Sequence, residues 1–268
     1  MIINEEGTYN LVYTATDECG NETVVNRELI VERPPATYRT VLYTDGTFII
    51  NESSYDEADN IALHGAATNV YAPFDPNGAT DVEKYIFTSE ANRPWHSQRA
   101  AILKVEIGSS IQPTSMGTWF SDANNCISVD FSNLDASNVE TMFNLFYGCS
   151  MLQSIDFNAI DTSNVNSMAN MFYNCFALTN IDLSSFNTNS VLDMETMFYR
   201  CTSLKTIYAS ADFIVTQVTS SRNMFAGDTQ LIGGAGTTYN AYAAGGMDKT
   251  RAKIDGGTYD PGYFTAKP

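Results

Sequence analysis

Residues 118–232 predict an α/β solenoid, a stack of short parallel strands and short helices. Three observations carry that reading. First, apolar positions recur every 26 residues: Phe146, Phe172 and Phe198; Cys149, Cys175 and Cys201; Leu152, Leu178 and Leu204; Ile155, Ile181 and Ile207; Val139, Val165 and Val191. Phe120 and Val129 fall one period earlier, and Val218, Met224, Phe225 and Leu231 follow with one residue inserted. Second, each unit has two halves with different spacings. Third, roughly eight apolar side chains per unit, each worth ~1.5–3 kcal/mol when buried, need neighbouring units to cover them.

The first half of a unit reads as a helix. Val165, Met168, Met171, Phe172 and Cys175 lie on one helical face, and Ser163 fits the N-cap position. Helices are therefore expected over 139–149, 165–175 and 191–201. The second half reads Leu152-x-x-Ile155-x-Phe157 and Leu178-x-x-Ile181-x-Leu183. Its alternation is strand spacing, and it matches the L-x-x-L-x-L part of a leucine-rich repeat. Parallel strands are expected near Val105, Val129, Ile155, Ile181 and Ile207.

The run Ile181-Asp182-Leu183-Ser184-Ser185-Phe186-Asn187-Thr188 and the recurring Met-Phe-x-x-Cys-x-x-Leu string resemble the BspA-type leucine-rich repeat. More narrowly, they resemble its branch of repeated Mycoplasma surface lipoproteins. The tail Ile254-Asp255-Gly256-Gly257-Thr258-Tyr259-Asp260-Pro261-Gly262-Tyr263-Phe264 is similar to the usual ending of such proteins. The resemblance spans about residues 100–268. It implies a surface-exposed adhesion or recognition module, and it brings no catalytic residues with it.

Upstream, two alternating stretches in residues 7–31 flank Asp17-Glu18-Cys19-Gly20-Asn21, which is turn chemistry. The pair resembles the last hairpin of a bacterial immunoglobulin-like domain, but it is too short for a complete sandwich. Arg33-Pro34-Pro35 reads as a stiff linker. Val41-Leu42-Tyr43 and Phe48-Ile49-Ile50 flank Thr44-Asp45-Gly46-Thr47, a hairpin signal, and Asp75-Pro76-Asn77-Gly78 is a further turn. The predicted organisation is thus a hairpin remnant at 1–33, a β-rich N-terminal cap at 34–100, the solenoid at 101–232 and a looped C-terminal cap at 233–268. Gly233-Gly234, Gly245-Gly246 and Gly256-Gly257 break the pattern in that last part.

Charge narrows the partners. The chain has 268 residues, 31 acidic against 14 basic, for a net charge of −17. That argues against nucleic acid, whose phosphates need a basic face, and against docking on anionic lipid. No apolar run approaches the ~20 residues of a membrane span. Met1-Ile2-Ile3-Asn4-Glu5-Glu6 lacks the basic and apolar regions of a signal peptide. An extracellular protein with this start would have lost its targeting region or left by another route. A virion protein would need no export.

Candidate chemistry is sparse. Cys149, Cys175 and Cys201 share one buried position and read as small core fillers. A ladder disperses ligands rather than converging them, so no metal site is expected there. His64 and His96 lie near no nucleophile motif, and each reads as a surface or cap residue. Trp95, between Pro94 and His96, is more often core than a platform for a sugar.

The sharpest site hypothesis comes from the strands. In L-x-x-L-x-L the residue between the last two apolar positions faces outward. Those residues are Glu106, Asp130, Asp156, Asp182 and Tyr208. Four carboxylates on neighbouring strands would stand ~4.8 Å apart, and like charges directly opposite are unfavourable. One explanation is that Ser128, Ser154, Thr179 and Asn180 hydrogen-bond them, aided by solvent screening. The other is a recognition strip for a basic partner, or for Ca²⁺, which takes carboxylate and carbonyl oxygens. No cofactor is otherwise expected.

The functional expectation is a non-enzymatic, extracellular recognition or adhesion module that binds a protein or glycan on a cell or virion surface. The alternative is a structural fibre or decoration protein of a bacteriophage virion. An enzyme acting on glycans through paired carboxylates ranks last, because a regular strip signals no cleft.

Overall fold

The structure, a computed structural model, describes residues 7–16, 22–31, 38–51, 67–74, 96–107, 112–157, 160–243 and 245–267. The Asp17–Asn21 turn, the Arg33-Pro34-Pro35 linker, His64, the Asp75–Gly78 turn and Trp95 lie outside them, as does the side chain of His96. The chain forms two compact units, Met1–Ala36 and Thr37–Pro268.

The first unit contains an antiparallel hairpin. Strand β1 (Gly7–Thr16) pairs with β2 (Glu22–Val31) without a register shift, from Gly7↔Val31 to Thr16↔Glu22.

Among its described residues the second unit is built mostly of short parallel strands in two sheets, with almost no helix. Strands β3 (Tyr38–Tyr43) and β4 (Thr47–Asn51) form the expected hairpin, Leu42 opposite Phe48. Gly46 turns it at φ +82, where a Cβ would strike Leu103. Strand β5 (Ala67–Phe74) pairs antiparallel with β3. On its other side β4 runs parallel to β6 (Lys104–Ile107), followed by β7 (Ser128–Asp130) and β8 (Ser154–Asp156). The second sheet joins β9 (Asn180–Leu183), β10 (Thr206–Ala209) and β11 (Phe264–Ala266), all parallel. The five predicted strands are present at the predicted places. They do not form one sheet, because no strand pairing joins β8 to β9. The coils they belong to are compatible with a solenoid-like stack.

The expected helices at 139–149, 165–175 and 191–201 are absent. Those segments are stacked turns. Within 142–149, the amides of Leu145, Tyr147 and Cys149 donate three residues back. The amides of Met142, Asn144, Phe146 and Gly148 donate instead to Ser167, Ala169, Met171 and Tyr173 of the next coil, at 2.7–3.0 Å. The same alternation recurs in the coils at 116–123, 168–175 and 194–201. An α-helix would send every amide four residues back along its own chain. Here every fourth residue is left-handed: Thr118 and Asp122, Asn144 and Gly148, Asn170 and Asn174, Thr196 and Arg200, Asn223 and Gly227. Asn, Asp and Gly tolerate that conformation best, and they hold most of these positions. Ser163 accordingly caps no helix; its amide donates to Asp161 Oδ1 at 2.9 Å.

The repeated apolar residues form the core. Phe120, Phe146, Phe172, Phe198 and Phe225 are buried and stack in one column, with ring centroids 5.5–5.8 Å apart and planes within 17°. The thiols of Cys149, Cys175 and Cys201 donate to the carbonyls of Phe120, Phe146 and Phe172 at 3.0–3.3 Å. They are core fillers with a polar partner, and burial pushes the Cys175 and Cys201 thiols well above their usual range.

The C-terminal segment does more than loop. Strand β11 adds a parallel strand beside β10, and Tyr263 and Phe264 meet Phe225 edge-on at 5.3 and 6.1 Å. Asp255 ties this segment together by accepting from the amides of Ala235, Thr237, Gly257 and Gly262 and from the Thr237 hydroxyl. Burial pushes the Asp255 carboxyl up, but these donors outweigh it and hold it at about 2.

Three outcomes follow from this architecture. Phe172→Ala empties a buried site between two stacked rings and is expected to lower stability by ~3–5 kcal/mol; an unchanged denaturation midpoint would remove Phe172 from the core. Thr196 is β-branched at φ +53, so Thr196→Asn, which repeats the choice at 144, 170 and 223, should stabilise the chain by about 1 kcal/mol in the same assay. Because the folded value for Asp255 lies below the ~3.9 of an unfolded Asp, its contribution is full above that pH and drains away toward pH 2. Melting curves of Asp255→Asn should lie below wild type at pH 6 and converge on it as the solution is acidified.

Candidate functional site

Strand alternation turns one face of the parallel strands into the core and leaves the other open. Val105, Val129, Ile181 and Ile207 point inward and are buried. Glu106, Asp130, Asp156, Asp182 and Tyr208 point outward, Asp130 and Asp156 exposed and the other three half-buried. In register, Glu106 stands opposite Asp130, Asp130 opposite Asp156, and Asp182 opposite Tyr208. The five predicted residues therefore form one column, interrupted in its pairing between Asp156 and Asp182.

The column lines a shallow groove of about 720 Å³ with Glu106, Asp130, Asp156 and Asp182 along it, Lys104 toward one end and Lys267 toward the other. A second hollow of about 460 Å³ lies over the β8–β9 junction, between Gln153, Ser154 and Ile155 on one side and Thr179, Asn180 and Ile181 on the other, with Asp182, Tyr208 and Lys267 beside it.

Two of the carboxylates accept a backbone amide two residues further on. Asp130 Oδ1 accepts the Ser132 amide at 2.8 Å, and Asp182 Oδ1 accepts the Ser184 amide at 2.9 Å. Each closes a tight turn directly after its strand, as Asp side chains commonly do. The other oxygen of Asp182 meets Lys267 Nζ at 2.6 Å. Partial burial pushes the Asp182 carboxyl up, but Lys267 and Ser184 outweigh it, so the group sits below the usual carboxylate range.

Lys104 and Lys267 were missed as members of this site. Lys104 was legible, two residues before Glu106 on the same strand face. Lys267 was not, because its approach depends on β11 returning to lie beside β10. Among the described residues no group of three or more His, Cys, Asp or Glu is placed to hold a metal ion. The row can attract cationic groups electrostatically, and its two lysines stand toward the ends of the acidic stretch.

Residues 114–234, somewhat under half of the chain, match the family model described as Mycoplasma protein of unknown function, DUF285, a family related to the BspA-like repeat proteins. No curated protein and no solved structure matches the chain. The matched residues cover the turn ladder, strands β7–β10 and the carboxylates Asp130, Asp156 and Asp182, so the site lies largely within the segment that resembles this family.

Proposed function

We propose that the chain is a non-enzymatic recognition module of leucine-rich-repeat-like solenoid architecture, acting outside the cell or at its surface, with the acidic groove as its contact face. The observation that carries this reading is the column Glu106, Asp130, Asp156 and Asp182 on rigid parallel strands at the bottom of one continuous groove. Side chains fixed on strands lose little freedom on binding, and a row of one sign selects a cationic partner such as a basic segment of a surface protein. The family match at 114–234 and the hairpin at the N-terminus fit a surface module. The absence, among the described residues, of any helix long and apolar enough to cross a membrane leaves open how such a module would be held there. An open, periodic row offers no enclosure in which two carboxyl groups could take separate acid and base roles, so no catalytic role is assigned. Nothing favours the virion alternative.

The test uses Asp130→Asn/Asp156→Asn. Asparagine keeps the turn acceptor at Asp130 and removes charge at both positions, so the fold should survive, as melting would verify. Binding to immobilised lysine-rich, neutral and acidic peptides, and adhesion to cell surfaces, would then be compared with wild type. Expected are wild-type preference for the lysine-rich probe, weakening with salt, and about a tenfold or greater loss in the double variant. Equal binding by two equally stable proteins would place the contact elsewhere, first at the cap region around His64 and Trp95.

A further inference from the structure

The cysteine column ends on an acid. Its three thiols each reach the Phe carbonyl 29 residues back, in the preceding coil. Between Ile207 and Val218 the repeat gains one residue, so Phe198 is followed by Phe225 and Leu204 by Leu231. The same step from Cys201 lands on Asp228. Its carboxyl lies beside the Cys201 amide, as the Cys201 thiol lies beside the Cys175 amide. Asp228 is thus the next rung of the ladder, and it is 0% exposed. Among the described residues no side chain donates to either of its carboxyl oxygens. The adjacent Cys201 amide is already committed to the Phe198 carbonyl at 3.0 Å.

Among the described residues the surroundings supply no counter-charge to Asp228. The preceding coil presents the Cys201 thiol, itself raised by burial and by Asp228. The C-terminal segment presents two phenols. The Tyr239 hydroxyl accepts the Gly227 amide at 3.1 Å, and Tyr263 is raised by burial and, in smaller part, by Asp228. Arg251 acts on Tyr263, and its guanidinium donates to the Pro261 carbonyl at 3.3 Å. A bare carboxylate here would be a buried, unpaired charge, which protein interiors avoid by keeping the proton.

We propose that Asp228 is a carboxylic acid in the folded protein, its O–H donated to the Phe198 carbonyl as the cysteine thiols are to theirs, and that losing this proton loosens the segment closing the C-terminal end. The step is simple acid dissociation: the O–H bond breaks and the proton passes to water. The charge left behind sits under the contacts that close the stack, namely the Phe225 amide on the Met247 carbonyl at 3.2 Å and the Tyr263 and Phe264 rings on Phe225. Burial pushes the Asp228 carboxyl well above the usual carboxylate range. The folded chain therefore holds a proton that the unfolded chain releases near pH ~4. The contribution is complete below that pH and is lost as pH rises toward the folded value. The same closing segment carries Lys267 to Asp182. If the acidic groove is the contact face, as proposed above, the Asp228 proton also governs how firmly Lys267 covers its end.

Two measurements on the full chain test this. The infrared difference between wild type and Asp228→Asn at neutral pH should show the carbonyl band of one protonated carboxylic acid; a carboxylate signature in its place would overturn the proposal. Unfolding constants of the two proteins, followed from pH 5 to 8, should diverge by up to about tenfold per pH unit, the variant gaining relative to wild type. Parallel curves would overturn it equally. Should Asp228→Asn fold poorly, Asp228→Cys restores the rung and serves as the proton-independent reference in both measurements. Neither readout involves binding, so a failed groove assay leaves this result standing and the reverse also holds.

Discussion

Backbone hydrogen bonding between successive coils is the constraint on which the rest depends. In the turn half of each unit every second amide leaves its own coil and reaches the next. Several of their donor residues, Met142, Phe146, Met168 and Phe172 among them, are buried, and a buried amide without a partner is costly. The register between turn segments is therefore held from coil to coil, across a 26-residue repeat in the earlier units and a 27-residue one in the last, and the phenylalanine column inherits its spacing from that register. The one extra residue falls between Ile207 and Val218, after β10 and before the next ladder segment, where it disturbs none of these bonds. The left-handed residues are a consequence of the same demand: to turn alternate amides outward along the stack, the chain must adopt positive φ every fourth residue, and Asn144, Gly148, Asn170 and Asn174 make that tolerable.

Much of this was legible from the sequence, and the part that was not has a definite physical cause. Burial at Val165, Met168, Met171, Phe172 and Cys175 was read correctly, because the apolar spacing reports which side chains face inward. The helix inferred from it was wrong, because three-residue turns bonded to a neighbouring coil place side chains on one side just as a helix does. The discriminating signal was the Asn or Gly recurring four apart on the polar side, which a helix interior disfavours. The outward placement of Glu106, Asp130, Asp156, Asp182 and Tyr208 was legible because strand alternation depends only on local geometry. Lys267, strand β11 and the break between β8 and β9 depend on how distant segments meet, and no local pattern announces that.

The two ends of the second unit are closed by different means. At the N-terminal end, β4 runs parallel to β6 and hides the edge that β6 would otherwise offer. At the C-terminal end, β11 covers β10, while Tyr263 and Phe264 cover the last phenylalanine of the column. Two acids with opposite surroundings serve this second closure. Asp255 is surrounded by donors and stays ionised far into acid; Asp228 has beside it only the Cys201 amide, already committed to the Phe198 carbonyl, and lies under apolar and neutral groups. The closing segment is therefore exposed to loosening from both sides of the pH scale, through chemically distinct residues.

The acidic column raises the question of whether its carboxylates serve the turn or a partner. Closing the turn after a strand requires one side-chain oxygen, which Asp130 and Asp182 supply to the amides of Ser132 and Ser184. It does not require charge. Asn187 and Asn240 close equivalent turns in this same chain, to the amides of Asn189 and Tyr242. Local geometry thus accounts for the oxygen at 130 and 182 but not for the choice of aspartate over asparagine. That choice sets like charges on adjacent strands, an arrangement that is unfavourable unless solvent, a lysine or a bound group offsets it. Lys267 offsets it at Asp182, and Lys104 stands at the far end. Asp130 and Asp156 lie in the stretch between those two lysines, both exposed and in direct register. The recognition reading proposed above therefore puts its cationic partner against that stretch.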